Sequence, residues 1–398
     1  MPIHPLRISA CTIVNALGAG REAALSAWER DRGGLRQCDF PGAELDTWIG
    51  RVEGLEDDPL PKQWTPFDCR NNRLARAGLV QAEFADAVDA ARIRYGPRRI
   101  GVFVGTSTAG IGETERAYRM RSPETGKLPD EFSYRFTHNT YSIADFTRQF
   151  LDIGGPCEAV STSCSSSAKV FAAAYRFMRA GLCDAAVVGG VDSLCLTTLY
   201  GFSSLDLVSP HPCRPWDAAR DGLNIGEAAG FALLEWAGQD TPGVALIGYG
   251  ESSDAYHMSS AHPEGAGAVM AMQRALDSAG LEPRVVDYIN LHGTATPAND
   301  ASEDTAVVSL FGTRVPCSST KGWTGHTLGA AGITEAIFVC LSIEAGIIPG
   351  TLHTTDLDPR LSANVIVTGQ AQAVDVAMSN SFGFGGTNCS LVFGRIGR

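Results

Sequence analysis

The chain has 398 residues, with 32 Lys and Arg against 44 Asp and Glu for a net charge of −12. It is too long for one ordinary core and lacks the broad basic face that duplex nucleic acid requires. Hydrophobic residues make up 44% and charged residues 19%, which excludes a disordered polymer and predicts two domains or one duplicated domain. Met1 to Arg7 shows no basic segment followed by an apolar core, so no secretory leader is predicted and the cytoplasm is the expected compartment. The apolar stretch Ile333 to Ile348 carries Glu335 and Glu344, so no membrane helix is expected. Eleven cysteines spread from Cys11 to Cys389 include no C-x-x-C pair, and buried thiols in a reducing compartment are predicted for most of them.

In chain order, Arg99 to Val104 reads as a buried strand running into Gly105-Thr106-Ser107-Thr108. Glu158-Ala159-Val160 reads as another, passing through Ser161-Thr162-Ser163-Cys164 into a small-residue helix that ends at Ala180-Gly181. Val286 to His292 is again a strand, and it runs into Gly293-Thr294-Ala295-Thr296. Ser319-Thr320-Lys321 then precedes a helix ending at Ala345-Gly346. The same strand-then-GTxT phrase and the same glycine-ended helix therefore occur twice, the first copy being about 30 residues longer between its two phrases. This predicts an internal duplication with an insertion within Gly112 to Asp152. The division is drawn near Thr241-Pro242-Gly243, giving halves 1–242 and 243–398 that share a broad interface, because no low-complexity linker separates them. Alternating strands and helices give an α/β class.

Cys164 stands where a strand turns sharply into a helix. The positive end of the helix dipole favours thiolate there, and small neighbours leave the sulfur accessible. His292 ends a strand at a glycine-rich loop, and His326 lies in Lys321-Gly322-Trp323-Thr324-Gly325-His326, a glycine-bracketed loop before a helix. Two such imidazoles can meet one cysteine at the boundary of the halves and donate to an oxyanion or move a proton. Lys321 and Glu335 are placed to form an interior ion pair. Asn380 to Asn388 is a glycine-rich turn that can offer a backbone N–H to an oxyanion, with Phe384 as a movable gate. Taken singly, these features also read as a structural cysteine, packing histidines and a tight hairpin. The remaining histidines, His4, His138, His211, His257, His262 and His353, have no metal-ligand spacing, so no metal is assigned. No phosphate-binding loop is found.

Taken together and in this order, Ser163-Cys164-Ser165-Ser166, Arg214-Pro215-Trp216-Asp217, His292-Gly293-Thr294-Ala295-Thr296, Lys321 to Gly329 and Asn380 to Asn388 resemble the elongating β-ketoacyl-acyl carrier protein synthases of the thiolase superfamily. The resemblance covers essentially the whole chain and implies a duplicated thiolase-like αβαβα five-layer sandwich. It implies decarboxylative Claisen condensation, with Cys164 as acyl-accepting nucleophile and His292 and His326 on the malonyl thioester. Lys321 with Glu335 would act in support, and the backbone N–H groups of Cys164 and Phe384 would form the oxyanion hole within the Phe382-Gly383-Phe384 gate. It further implies Thr294 and Thr296 on the phosphopantetheine arm, Thr108 in the acyl pocket, and Arg70 and Arg73 as docking residues for an acyl carrier protein, with Arg76 on the same helical side. No bound cofactor is implied, since substrates arrive on the carrier's phosphopantetheine. A dimer is implied, either homotypic or with a chain-length-factor-like subunit, in fatty-acid, aryl-polyene or type II polyketide synthesis. A catalytically silent chain-length-factor-like subunit is the competing reading. Ala295 and Ala228 depart from the residues common in the family without removing a catalytic group.

Overall fold

A computed structural model describes residues 2–238 and 241–397. The chief elements of the first half are β1 (Leu6–Asn15), α1 (Arg70–Leu79), α2 (Ala82–Tyr95), β2 (Ile100–Gly105), α3 (Tyr141–Phe150), β3 (Cys157–Val160), α4 (Ser166–Arg179), β4 (Ala185–Asp192), α5 (Leu196–Ser203) and β5 (Ala228–Trp236). The second half contributes β6 (Gly243–Ser253), α6 (Ala266–Ala279), β7 (Tyr288–Asn290), α7 (Pro297–Phe311), β8 (Pro316–Ser318), α8 (Ala331–Ala345), β9 (Val376–Gly383) and β10 (Thr387–Ile396).

The duplication read from the two GTxT phrases extends to the whole topology. In the first half the strands lie in the order β1-β5-β4-β2-β3, and in the second β6-β10-β9-β7-β8. In both, the inner pairs are antiparallel and the outer two pairings parallel. Even the irregularity repeats: β1 slips register between Ile8 and Ala10, and β6 between Leu246 and Gly248. The halves join where β1 meets β6 antiparallel at Leu6 and Leu246. The extra length of the first half is the helix Ile111–Arg119 and the turns up to Thr140. Helix α3, at the end of the 112–152 interval within which the insertion is expected, occupies the place of α7, between the second and third strands of its half.

Each layer follows from its residues. Strand β4, Ala-Ala-Val-Val-Gly-Gly-Val-Asp, is buried along its whole length, as a strand covered on both faces must be. Helix α8 buries thirteen of its fifteen residues, and a helix apolar all round belongs in an interior. Leu328–Ala345 has the length and hydropathy of a membrane span, but 89% of it is buried inside the protein. Helices α4 and α8 form the middle layer, packed on each other and on strands of both halves. They approach closely because residue 332 is glycine: a Cβ there would lie 2.4 Å from the Ala168 amide nitrogen. Three apolar clusters match the three helical layers. The middle one holds Phe171, Ile333 and Phe338, the outer ones Leu74, Ile143 and Phe146 on the first half and Met272, Leu276 and Val307 on the second. This is the thiolase-like αβαβα sandwich. It brings the C-terminal ends of the parallel strands of both halves together over the N-termini of α4 and α8.

Candidate active site

Cys164 lies between β3 and α4 and is 5% exposed. The turn is strained at Ser163, whose φ of 54° is left-handed. The serines around it lace the turn: Ser166 Oγ donates to Ser163 O and accepts from Thr162 N–H, while Ser165 Oγ donates to Thr162 O. The end of β2 presses on the start of α4, where a Cβ on Gly105 would come within 2.4 Å of the Ser167 nitrogen. The run of small residues is therefore what allows the nucleophile turn to close.

Three donor atoms, Cys164 Sγ and one ring nitrogen from each of His292 and His326, lie within 4.8 Å of one another. His326 Nε2 is 3.0 Å from Cys164 Sγ, and the two imidazoles stand edge to face with centroids 5.3 Å apart. Lys321, 1% exposed, ion-pairs with Glu335 and donates to the carbonyl of His292. Its Nζ also lies 3.4 Å from His292 Nδ1. An ammonium can only donate, so this contact places the proton of a neutral His292 on Nε2. Nδ1 of His326 is buried and has no partner among the described residues, so nothing fixes the tautomer of that ring.

Burial, then the Lys321 charge and, for His292, the neighbouring His326, hold both imidazoles well below the usual histidine range. Both are therefore neutral at pH 7. The same burial corrects the expectation of a thiolate at Cys164. Loss of solvent pushes the thiol up to about 11, against the lowering influence of Lys321 and of the Phe384 N–H. Loss of solvent is the largest influence on this sulfur.

Phe384 lines the same cavity as Cys164, and its backbone N–H is among the influences that lower the thiol. Phe384 stacks on Phe202 of α5 with centroids 5.3 Å apart, and Phe382 lies 6.0 Å from His292. Gly383 is wedged against the nucleophile turn, where a Cβ would meet Thr162 O at 3.0 Å. Cys164, both histidines, Phe384, Thr294 and Thr296 line one cavity of about 90 Å³, well below the ~300–1,000 Å³ of typical ligand pockets. Both rings of the aromatic stack line it. The hydroxyls of Thr294 and Thr296 lie 2.8 Å apart at its wall.

Two further expected sites lie away from this cavity. Thr108 is buried, is not among the residues that line the cavity, and donates through its N–H and Oγ1 to Asp192. Arg70 and Arg73 lie on α1 with Arg76, but they form no free basic patch. Arg70 is bound to the fully buried Glu227 and to Glu56, Arg73 doubly to Asp68, and Arg76 to Asp58. The neutralising carboxylates lie far from α1 in sequence or outside its helical register, so spacing on the helix did not reveal them.

Three buried carboxylates escaped the sequence reading. Glu303 accepts the His292 and Gly293 N–H groups at 2.8 Å each, fixing the histidine loop. Asp300, one turn earlier on α7, accepts Trp216 and Ala295 N–H groups, which explains the Arg-Pro-Trp-Asp phrase as a brace for that loop. Asp192 at the end of β4 accepts from Thr106, Ser107, Thr108 and Gly329, tying the two halves together beside the site. The available signal was a pair of acids at i, i+3 on the helix after a catalytic loop, and an acid ending an apolar strand.

Residues 71–239 match the N-terminal domain of β-ketoacyl synthases and residues 244–355 the C-terminal domain. The 3-oxoacyl-[acyl-carrier-protein] synthase 2 of Staphylococcus aureus is 37% identical over 313 residues, 74% of this chain and 77% of that protein. The mitochondrial 3-oxoacyl-[acyl-carrier-protein] synthase of Arabidopsis thaliana is 40% identical over 262 residues, 61% of this chain and 57% of that protein. Among solved structures, the Xenorhabdus doucetiae ketosynthase ApeO, determined with its chain length factor ApeC, superposes with a TM-score of 0.88 at 36% identity over 98% of both chains. A β-ketoacyl synthase from Burkholderia phymatum superposes with a TM-score of 0.88 at 29% identity, covering 99% of this chain and 100% of that one.

Proposed function

Because the chain belongs to the β-ketoacyl synthase family, and so is an acyltransferase that performs decarboxylative condensation, we propose that its two halves divide that reaction between them. The convergence of Cys164, His292 and His326 within 4.8 Å carries this reading and disfavours a silent subunit.

In the first half-reaction the Cys164 sulfur attacks the acyl thioester. The thiol proton passes through His326 Nε2 to the departing carrier thiolate, and the acyl group remains on sulfur. In the second, the bond to the malonyl carboxylate breaks and carbon dioxide leaves. The electron pair forms an enolate whose oxygen is held by the N–H groups of His292 and His326. The free tautomer of His326 matters here, since Nε2 accepts a proton in the first step and donates a hydrogen bond in the second. The enolate carbon then attacks the acyl carbonyl, and the resulting oxyanion sits on the Cys164 and Phe384 N–H groups. Its collapse expels Cys164 as a thiolate, which regains its proton from solvent through His326 Nε2, and releases a β-ketoacyl thioester. No strong base is required, because decarboxylation creates the carbanion.

The substrates ride on the phosphopantetheine of an acyl carrier protein, held at the cavity mouth by Thr294 and Thr296, with the Phe384–Phe202 stack opening to admit them. The enzyme works in the cytoplasm as a dimer, with a second copy or with a chain-length-factor-like subunit, in fatty-acid, aryl-polyene or polyketide assembly. Support for a dimer comes from the sheet-edge strand β3 and from exposed Tyr118, Met120 and Tyr141 in and beside the insertion. Intact-mass analysis after mixing with a panel of acyl carrier proteins, then with malonyl carrier protein, tests the reading. An acyl adduct on Cys164 that leaves as a β-ketoacyl product supports it, and the best donor names the pathway. No adduct from any donor, alone or with a co-expressed partner, refutes it.

A further inference from the structure

A cleft of about 650 Å³ shares no lining residue with the cavity at Cys164. It is walled by the end of β1 and the turn after it, by the Arg30 to Arg36 loop, and by Arg51 to Glu53. Four guanidinium groups line it, Arg30, Arg32, Arg36 and Arg51, against one carboxylate, Glu53. Arg36 is paired with Glu53 and Asp39, and Arg51 with Asp39 and Glu56. Arg30 and Arg32 are exposed, and their side chains have no ion-pair or hydrogen-bond partner among the described residues.

Three N–H groups on residues that line this cleft are buried and lack an acceptor among the described residues: Asn15 Nδ2, Arg36 Nε and Arg51 Nε. Asn15 is 2% exposed. Its amide orientation is fixed, because Oδ1 accepts the Leu17 N–H at 2.8 Å, so the unsatisfied end is the donor. Every orphan is a donor, and a buried donor left unmade costs free energy. In a chain of net charge −12, such a concentration of cations and unused donors is a local construction.

We propose that this cleft binds a phosphate-bearing small anion, with Arg30 and Arg32 engaging it at the rim and the Asn15 amide and the two arginine Nε groups at the floor. The volume falls in the ~300–1,000 Å³ range of small-molecule sites, and phosphate oxygens accept several guanidinium and amide N–H bonds at once. The cleft wall also touches the catalytic turn. Gly34 N–H donates to Trp323 O at 2.8 Å, and a Cβ on Gly50, next to Arg51, would lie 1.9 Å from Thr324 O. Trp323 and Thr324 sit between Lys321 and His326, so an occupant that stiffens the wall slows exchange of that turn.

Calorimetric titration of the full chain with inorganic pyrophosphate is the test, and saturable binding is expected. Binding should weaken by about tenfold or more in the Arg30→Glu/Arg32→Glu double variant, whose side chains hold no other partner. It should weaken likewise in Asn15→Asp, which keeps the acceptor for Leu17 and turns the orphan donor into an acceptor. Hydrogen exchange over residues 321–326 should slow on binding. Vesicles of phosphatidylglycerol form a second arm: the small-anion assignment predicts no vesicle binding, and binding that the double variant abolishes would replace it with a lipid headgroup. Absence of saturable binding at millimolar pyrophosphate, or equal binding by the double variant, overturns the site. Unchanged exchange over 321–326 overturns its link to the catalytic turn.

Discussion

The chain crosses from Val160 to the first turn of α4 directly, through Ser161 to Ser165, whereas the equivalent crossing in the second half, from Ser318 to α8, detours through the short helix Lys321–Thr324 and the turn Leu328–Ala330. The short crossing contains only small uncharged side chains and a strained residue, and it delivers one sulfur and backbone N–H groups. The long one carries an imidazole and a buried ammonium, neutralised by Glu335 from the helix it leads into. Duplication thus supplied two similar turns over one cavity. One became a nucleophile seat, and the other gained the length needed to hold proton-donating groups.

This contrast can be broken from either side. The largest effect falls on the nucleophile: Cys164→Ala should lower condensation on the order of 10³-fold or more, measured as β-ketoacyl product from matched acyl and malonyl carriers. In the second half, on the loop between β7 and α7, His292→Ala should lower carbon dioxide release from malonyl carrier by ~10²–10³-fold, the typical cost of one oxyanion donor, while acyl loading of Cys164 changes little. Lys321→Ala leaves Glu335 buried and unpaired, and denaturant unfolding should show a loss of ~3–5 kcal/mol. The double variant Lys321→Met/Glu335→Leu should recover much of that stability without recovering decarboxylation, which separates the charge's influence on the two imidazoles from its part in folding.

The pH responses of the two turns should differ in direction. With the thiol at about 11, alkylation of Cys164 by iodoacetamide should climb through neutral into alkaline pH. Both imidazoles titrate below 6.5, so the acid limb of decarboxylation should lie below that pH. Their depressed pKa values also stabilise the fold above pH 6.5, a contribution that is lost as pH falls. The smallest effect belongs to α1: since Arg73 is already committed to Asp68, Arg73→Ala should change the KM for acyl carrier protein by no more than about twofold. A much larger rise would show that the pair opens on docking.

The elements that the sequence revealed are those whose chemistry is local. Cys164 announces itself by the small residues its turn needs, His292 and His326 by glycine-bracketed loops after or before regular elements, and the duplication by repeated phrases. What stayed hidden depends on distance through space. Burial of Cys164 by both halves, which raises its thiol, cannot be seen in a helix-start motif. Arg70, Arg73 and Arg76 look like a cationic stripe until Glu227, Asp68 and Asp58 close on them. Thr108 stands in a promising phrase, but its hydroxyl and N–H are captured by Asp192, 84 residues away.

The division of labour is tested most directly by measuring release of labelled carbon dioxide from malonyl carrier protein by Cys164→Ala. The account predicts that release continues, since both histidines and Lys321 remain in place, while intact mass shows no acyl adduct. Loss of release in a folded variant, or acyl loading without Cys164, would contradict it.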